Sequence, residues 1–280
     1  MVVLNEMKLV VLVNNWVNKS KCLAEHGFSL HIEIDDNRYL FDVGQSDILL
    51  KNAQILDLDL SSIDSIFISH SHYDHTGGLL DVLKHQHKDT NVFVGQNFFK
   101  EKYKKVKSEF FYIGLPYKKE DYEKEGAIFH QVGSKLSIND NIVIYSNFKK
   151  LTTDSFVVKN MDGFEQDLFQ DELAVCIKEK NEMVIVSGCS HCGIVQMVKT
   201  IIDEEQKDAA PFKTITVMGG FHLEKATDNE MQEVARQLKN IGIKCVGIAH
   251  CSGQSFLPFV KEQGLSYYMC NVGNKFTFLK

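Results

Sequence analysis

The segment His70-Ser-His72-Tyr-Asp74-His75 constrains this chain more than any other feature. It follows an apolar, β-branched run at residues 63–69, so four strong metal ligands stand where a predicted strand ends. Residues i and i+2 of an extended segment point to one side, which lets His70 and His72 share a cation. Asp74 and His75 would then face a second cation. The spacing therefore predicts a two-metal site, although Asp74 alone could also cap a helix.

Three later segments place a histidine directly after an apolar, strand-like run, at residues 188–192 (GCSHC), 219–222 (GGFH) and 249–251 (AHC). Functional groups collect on loops at strand ends because a rigid sheet positions them there. We expect His191 to complete the ligands of the first metal and His250 those of the second. His222 is a ligand, a substrate contact or a group that orients a ligand, and Cys189 is a further candidate ligand.

Two upstream residues could support such a site. Asp42, in the segment LFDVG, suits a carboxylate that orients a ligand histidine or a water at the metals through a hydrogen bond. An ordinary turn aspartate is the alternative. His26, in the segment AEHG, is either a contact near the metals or an exposed loop histidine.

Composition and periodicity predict one α/β domain over residues 1–280. The chain is 44% hydrophobic and contains only three prolines, so it can bury a large core without disulfides. Strand-like and helix-like segments alternate, and no linker or repeat marks a boundary. Residues 97–126 break this pattern with mixed lysines, glutamates and aromatic residues. We interpret them as a partly helical insertion that could form a lid over the site.

The net charge and the cysteines limit the kinds of partner and the cellular compartment that we expect. The formal net charge of −6 argues against a nucleic-acid partner, which requires a basic face. Seven cysteines without the spacing of a disulfide framework favour a reducing, cytoplasmic compartment. The apolar stretch at residues 9–13 is too short to span a membrane, so no membrane partner is expected. We expect a small-molecule substrate that is phosphorylated or aromatic. Whether the chain forms a homo-oligomer is left open by the sequence.

Six sequence blocks together resemble the metallo-β-lactamase superfamily across nearly the whole chain. They are AEHGFS, LFDVG, SHSHYDHTGGL, SGCSHCGI, GGFHL and AHCSGQ. Within the superfamily they are similar to the hydrolase branch labelled 7,8-dihydropterin-6-yl-methyl-4-(β-D-ribofuranosyl)aminobenzene 5′-phosphate synthase. The resemblance implies a four-layer αββα sandwich, in which two sheets pack face to face between outer helices and the metals lie at one edge.

The chain departs from the common superfamily pattern at the aspartate that bridges the metals. Gly188-Cys189 stands where a Gly-Asp turn is usual, so Cys189 or His191 could take its place. A site rich in histidine with one carboxylate suits zinc, whereas iron or manganese is better served by more oxygen ligands. We expect two divalent ions, with zinc as the first choice and iron or manganese as alternatives.

These features lead to the hypothesis of a binuclear metal-dependent hydrolase that directs an activated water at an ester-like or phosphodiester bond of a small molecule. Asp74 would accept the water proton, and His222 would donate a proton to the leaving group. The alternatives are the pterin-linked 5′-phosphate synthase of the family label and a non-catalytic metal or ligand sensor. Iron-based redox chemistry beside Cys189 and Cys192 also stays open.

Overall fold

The computed structural model describes residues 6–34, 36–150, 154–207 and 210–279. The strands in this part of the chain are β1 Glu6–Val13, β2 Ser29–Ile34, β3 Asn37–Phe41, β4 Ser65–Phe67, β5 Thr90–Val94, β6 Lys102–Val106, β7 Glu109–Tyr112, β8 Ala127–Gln131, β9 Lys135–Ser137, β10 Ile142–Ser146, β11 Phe156–Asn160, β12 Gly163–Gln166, β13 Leu173–Glu179, β14 Glu182–Ser187, β15 Thr214–Gly219, β16 Cys245–Ile248, β17 Ser266–Met269 and β18 Lys275–Leu279. The helices are α1 Ile48–Ile55, α2 Tyr73–Thr76, α3 Leu79–His85, α4 Lys119–Lys124, α5 Ile194–Glu205, α6 Asp228–Asn240 and α7 Leu257–Glu262. Two short 3-10 turns cover His250–Ser252 and Gln254–Phe256.

Two seven-stranded sheets share one plan. The first has the order β18-β1-β2-β3-β4-β5-β8, and the second has the order β17-β16-β15-β14-β13-β10-β9. In the first sheet the pairing is antiparallel from β18 to β3 and parallel from β3 to β8. In the second it is antiparallel from β9 to β14 and parallel from β14 to β17. The second half of the chain therefore repeats the architecture of the first.

Alternate residues of the inner strands divide between two hydrophobic layers. In β1, Leu9 and Val11 pack in the layer between the two sheets, whereas Val10 and Leu12 pack beneath helices α1 and α3. Each fully buried aliphatic side chain contributes roughly 1.5–3 kcal/mol, so a one-residue slip that exchanged the two sets would be costly. Helices α5, α6 and α7 cover the far face of the second sheet. The predicted four-layer αββα sandwich is thus confirmed.

The outer helices form because each carries one apolar stripe. In α5 the buried residues include Ile194, Met197, Val198 and Ile201, which have the i, i+3, i+4, i+7 spacing of a single helix face. Helix α6 begins at a capping box in which Thr227 and the glutamate three residues later satisfy each other's backbone N–H groups. Among the described residues, no helix has the length and apolarity that crossing a membrane requires.

A third sheet, with the order β12-β11-β6-β7, corrects the interpretation of residues 97–126. That segment was predicted to be partly helical, and it does contain one short helix, α4, but strands β6 and β7 in the same segment were not predicted. Strand β7 is exposed along its whole length, and the only fully buried residue of β6 is Lys102. Alternation of apolar and polar residues is the sequence signal of a strand, and neither strand shows it.

The histidine-bearing loops leave parallel strands at their carboxyl ends. Strand β4 ends shortly before His70, and β14, β15 and β16 end shortly before His191, His222 and His250 respectively. The carboxyl ends of parallel strands lie at one edge of a sheet, where ligands of α/β proteins usually bind. The topology of the two sheets therefore brings these loops together.

Candidate metal centre

The ligand-bearing segment turns tightly because two glycines follow it. Within the one-turn helix α2, the N–H of His75 donates to the carbonyl of His72 at 3.0 Å. A Cβ on Gly77 would lie 2.2 Å from the carbonyl oxygen of Gln45, and a Cβ on Gly78 would lie 2.4 Å from a second carbonyl oxygen. Only glycine therefore allows the preceding loop to pack directly against this segment.

We call His70, His72 and His191 the first group. Their ligand nitrogens lie within 4.8 Å of one another, and all three side chains are buried. His70 Nε2 lies 3.0 Å from His72 Nδ1, and the ring of His191 is centred 5.0 Å from the ring of His70 and 5.1 Å from the ring of His72. The fold thus joins the His-x-His pair after β4 to the histidine after β14, as the sequence predicts.

The first group fits a cation because its nitrogens lack partners. Among the described residues, His72 Nε2 and both ring nitrogens of His191 have no hydrogen-bond partner. Burial lowers the pKa of all three histidines well below the usual 6.5, so their rings are neutral, as metal ligands must be. An unpaired buried polar group costs about 1–3 kcal/mol. A metal ion among these nitrogens would remove that cost.

We call His26, Asp74 and His250 the second group. Asp74 Oδ2 lies 3.2 Å from His26 Nε2 and 3.2 Å from His250 Nε2, while His75 Nε2 approaches it to 3.6 Å. Asp74 and His250 are buried, whereas the side chain of His26 is 49% exposed. His26 therefore lies at the entrance of the site, where it contacts the predicted ligand Asp74. It is also exposed, so both interpretations of this residue from the sequence describe it.

Two cysteines lie between the groups. Cys189 Sγ is 3.2 Å from His75 Nε2 and 3.3 Å from Cys251 Sγ, and its ligand atom also clusters with that of His70. Burial opposes ionisation of Cys251, but a hydrogen bond from Cys189 and the neighbouring His250 lower the pKa of its thiol well below the usual value. Sequence analysis did not select Cys251, although its position next to His250 at a strand end was a usable signal.

Asp42 is placed to orient His75. Its Oδ2 lies 2.6 Å from His75 Nδ1, and Ser69 donates to the carboxylate from both its backbone N–H and its hydroxyl, each at 2.7 Å. The carboxylate is fully buried. Burial opposes protonation of His75, but the charges of Asp42 and Asp74 raise its pKa to about 9. The contact through Nδ1 leaves Nε2 facing Cys189, which is how outer carboxylates fix metal-ligating histidines.

A layer of buried acidic residues holds the ligand loops from behind. Glu172 accepts the backbone N–H of His191 at 2.5 Å and that of Cys192 at 2.7 Å. Asp171 accepts the N–H of Ser71, between His70 and His72, at 2.9 Å. The ring of Phe169 stacks on His191 at a centroid distance of 4.0 Å. Sequence analysis missed these three residues, and the Asp-Glu pair opening the apolar strand β13 was the available signal.

A cavity of about 330 Å³ opens onto both groups and contains His222 in its wall. Its lining includes His26, His72, Asp74, Cys189, His191 and His250. The backbone N–H of His222 donates to Cys251 Sγ at 3.3 Å, and its exposed ring is centred 4.3 Å from that of His191. All the residues singled out in the sequence for the site are therefore in or directly behind this cavity.

Comparisons with known proteins identify the family of the chain. The family model described as the metallo-β-lactamase superfamily matches residues 24–133. A 7,8-dihydropterin-6-methyl-4-(beta-D-ribofuranosyl)-aminobenzene-5'-phosphate synthase from Methanocaldococcus jannaschii is 32% identical over 265 residues, which cover 89% of this chain and 88% of the relative. A solved structure described as Tm1679, a metal-dependent hydrolase of the β-lactamase superfamily, is 28% identical with a TM-score of 0.82, covering 98% of this chain and all of the other.

A more distant structure extends the likeness of fold. The metallo-β-lactamase fold protein YhfI from Bacillus subtilis is 12% identical, with a TM-score of 0.59 over 98% of this chain and all of the other. At that identity the likeness shows the fold alone. Together with the family model and the similar relatives, it leads to one conclusion. The chain belongs to the metallo-β-lactamase superfamily, in the branch that includes the synthase from Methanocaldococcus jannaschii.

Proposed function

We propose that the protein is a hydrolase that holds two divalent cations and cleaves an ester-like or phosphodiester bond of a small molecule. The observation that carries the proposal is the pair of ligand groups, one made only of histidines and one centred on Asp74, that face a common cavity with Cys189 between them. Paired sites of this kind activate water for hydrolysis in many enzymes.

The proposed ligands divide between the cations by position. His70, His72 and His191 would hold the first cation, and three is the number of protein ligands found in catalytic zinc sites. The second cation is held by Asp74, His75 and His250, which the sequence marked as its ligands. His26 and Cys189 are additional candidates at its entrance and between the two groups.

Bound cations would supply Lewis acidity and lower the pKa of a coordinated water to about 7. The chain's own side chains supply the proton transfers. The carboxylate of Asp74 lines the cavity and can accept a proton from a water there. His222 lines the same cavity and can donate a proton to the leaving group. Asp42 keeps His75 in the orientation that presents Nε2.

Zinc is the proposed metal because nitrogen and sulfur ligands dominate and Asp74 is the only carboxylate among the described residues that cluster as candidate ligands. Elemental analysis of protein purified without added metal tests this choice. We expect two zinc ions per chain. Iron or manganese at that stoichiometry would replace zinc in the proposal, and metal-free protein with full activity would contradict the proposal itself.

A substrate panel tests hydrolysis directly. Nitrophenyl phosphodiesters, lactones and thioesters represent the bonds that activated water attacks, and we expect turnover of at least one class. His70→Ala should abolish that turnover, whereas His87→Ala changes an exposed histidine outside the cavity and should retain it. Equal turnover in the two variants would mean that the hydrolysis does not depend on this centre.

Carbon–nitrogen bond formation is the second candidate, favoured by the printed name of the 32% identical relative. It would require recognition of a large aromatic pterin, and no motif in the sequence indicates such recognition. Inactivity on the whole panel together with turnover of a pterin substrate would favour it. A non-catalytic sensor is the third candidate, but complete ligand groups facing an open cavity argue for catalysis.

We also propose a reducing, cytoplasmic setting and a small-molecule partner, phosphorylated or aromatic, rather than a nucleic acid. All seven cysteines are unpaired and buried, which is the state that a reducing compartment maintains. The part of residues 97–126 that reaches the cavity, including Lys104 and Ile113, contributes to its wall. This supports the proposed lid role of that insertion.

A further inference from the structure

Two lysines with no role in the proposed metal centre line the same cavity. Lys104 comes from β6 in the third sheet, and Lys225 comes from the loop between β15 and α6. Within the part of the chain that the structure describes, neither forms an ion pair with a carboxylate. The nearby Lys102, by contrast, lies 2.7 Å from Asp171 and 2.9 Å from Asp167.

The carboxylates close to these lysines do not neutralise them. Glu224 lines the cavity beside Lys225, but the structure gives it no contact with either ammonium group. Asp154 lines a smaller adjoining cavity of about 160 Å³ that also includes both lysines, but it is paired with Lys150 at 2.8 Å and accepts a hydrogen bond from Gln166 at 3.0 Å. Two positive charges thus face the cavity together without a counter-ion.

The positive charge of Lys225 acts on Lys104. Partial burial and the neighbouring charge of Lys225 lower the pKa of Lys104. Like charges held close together destabilise a fold unless an anion is bound between them. This arrangement is therefore suited to binding a ligand that carries more than one negative charge.

Phe156 lies between Lys104 and the candidate ligand histidines. Its ring centre lies 5.9 Å from Lys104 Nζ, and 5.2 Å and 5.0 Å from the ring centres of His72 and His191. A substrate could thus reach from the metal centre to the lysines across one aromatic ring. The cavity offers a reactive end, an apolar middle and a cationic end.

We propose that Lys104 and Lys225 form a subsite for a phosphate monoester on the substrate, at the far side of Phe156 from the bond that is cleaved. A phosphate monoester carries about −1.5 to −2 charges at pH 7 and three acceptor oxygens, which match two ammonium groups better than a single carboxylate does. The substrate class is then a small organic phosphate with a second, susceptible ester-like bond. This inference rests on the proposed hydrolytic function.

Two diesters that differ by one phosphate test the subsite in the metal-loaded enzyme. They are thymidine 5′-(p-nitrophenyl phosphate) and the same compound with an added 3′-phosphate. We expect the wild-type enzyme to have a KM at least about tenfold lower for the phosphorylated diester, with similar kcat. In Lys104→Met/Lys225→Met the two KM values should become nearly equal.

Lys105→Met is the matched control, because Lys105 neighbours Lys104 on β6 but its ammonium group lies 5.8 Å from the ring centre of Phe110 and does not line the cavity. It should keep the wild-type preference. A wild-type enzyme with no preference, or a double variant that keeps it, would overturn the subsite. The second result would assign the added phosphate to other groups in the cavity.

A binding measurement separates failure of the subsite from failure of the proposed hydrolysis. Equilibrium dialysis compares thymidine 3′,5′-bisphosphate with thymidine 5′-monophosphate on the same three metal-loaded proteins. Tighter binding of the bisphosphate by at least about tenfold, lost only in the double variant, would support the subsite even if neither diester is hydrolysed. Equal binding of both nucleotides by the wild-type protein would reject it even if both diesters are hydrolysed.

Discussion

The two candidate ligand groups differ in whether their ligand atoms have hydrogen-bond partners within the protein. In the first group, the imidazoles of His70, His72 and His191 are buried and neutral, and several of their nitrogens lack partners among the described residues. In the second group, Asp74 already has a hydrogen-bond partner in each of the two histidines at 3.2 Å. The first group is thus unsatisfied without a metal, whereas the second satisfies itself.

This difference separates what each cation does for the protein. A cation in the first group would bind nitrogens that are buried without hydrogen-bond partners. Its binding should therefore add strongly to the stability of the fold. A cation in the second group must replace hydrogen bonds that already exist. We therefore expect removal of metal to lower the stability of the fold through the first group much more than through the second.

The largest expected effect comes from His191→Leu. Loss of one first-group ligand should reduce kcat/KM by about 10³-fold or more, because Lewis acid stabilisation is worth several kcal/mol and each 1.36 kcal/mol is tenfold in rate. In chelator-treated protein, the same change should leave the free energy of unfolding unchanged or about 1 kcal/mol higher, since an apolar side chain replaces an unpartnered imidazole. Steady-state kinetics and urea denaturation measure the two effects.

His250→Leu is the matched variant in the second group. It removes one of the two histidines at hydrogen-bond distance from the buried Asp74, so the chelator-treated protein should lose about 1–3 kcal/mol of unfolding free energy. If both leucine variants shift the stability of the metal-free protein in the same direction, the contrast between the groups is wrong.

His31 provides a buried histidine outside the metal centre, with an expected effect of similar size. Both of its ring nitrogens lack a partner among the described residues, and burial lowers its pKa to about 4 from the usual 6.5. The folded protein therefore resists a proton that the unfolded chain accepts below pH 6.5. Stability from this residue is complete above pH 6.5 and is lost as the pH falls toward 4, by about 3 kcal/mol in total.

Urea denaturation of chelator-treated protein between pH 7 and pH 4 measures this loss, and His31→Leu should reduce it by that amount. His87→Leu alters an exposed histidine and should leave the pH dependence unchanged. Identical pH profiles for the wild type and His31→Leu would show that the ring accepts a proton in the folded state without penalty, which would also weaken the argument made for His191.

The sequence predicted the two large sheets well because their strands bury both faces or alternate cleanly. Strand β2, from Ser29 to Ile34, is buried at all but one position, and helix α5 carries its buried residues at helical spacing. The third sheet was missed because β7 is exposed throughout and β6 is rich in lysine. The only buried residue of β6, Lys102, is a residue type that no hydrophobic pattern assigns to an interior.

The residues of the candidate site also divide into those that the sequence could predict and those that it could not. Candidate ligands that follow predicted strands, such as His191 and His250, could be selected because strand ends mark where functional loops lie. Groups that act through long-range packing could not be selected. Glu172 meets the backbone of His191 across 19 residues of chain, and Phe169 stacks on its ring only because β13 and β14 form a hairpin. Such contacts depend on tertiary register, which periodicity does not encode.

The smallest expected effect comes from His26→Ala, and it sharpens the comparison at the exposed end of the second group. The side chain of His26 is 49% exposed, and Asp74 keeps His250 at 3.2 Å when His26 is removed. Because solvent screens an exposed contact and ordering its side chain costs entropy, the loss should be below about 1 kcal/mol. We expect the second cation to bind less than about tenfold more weakly in competition with a chromophoric chelator, with the first cation unaffected. A hundredfold loss would make His26 a full ligand and would give the second group the same dependence on metal as the first.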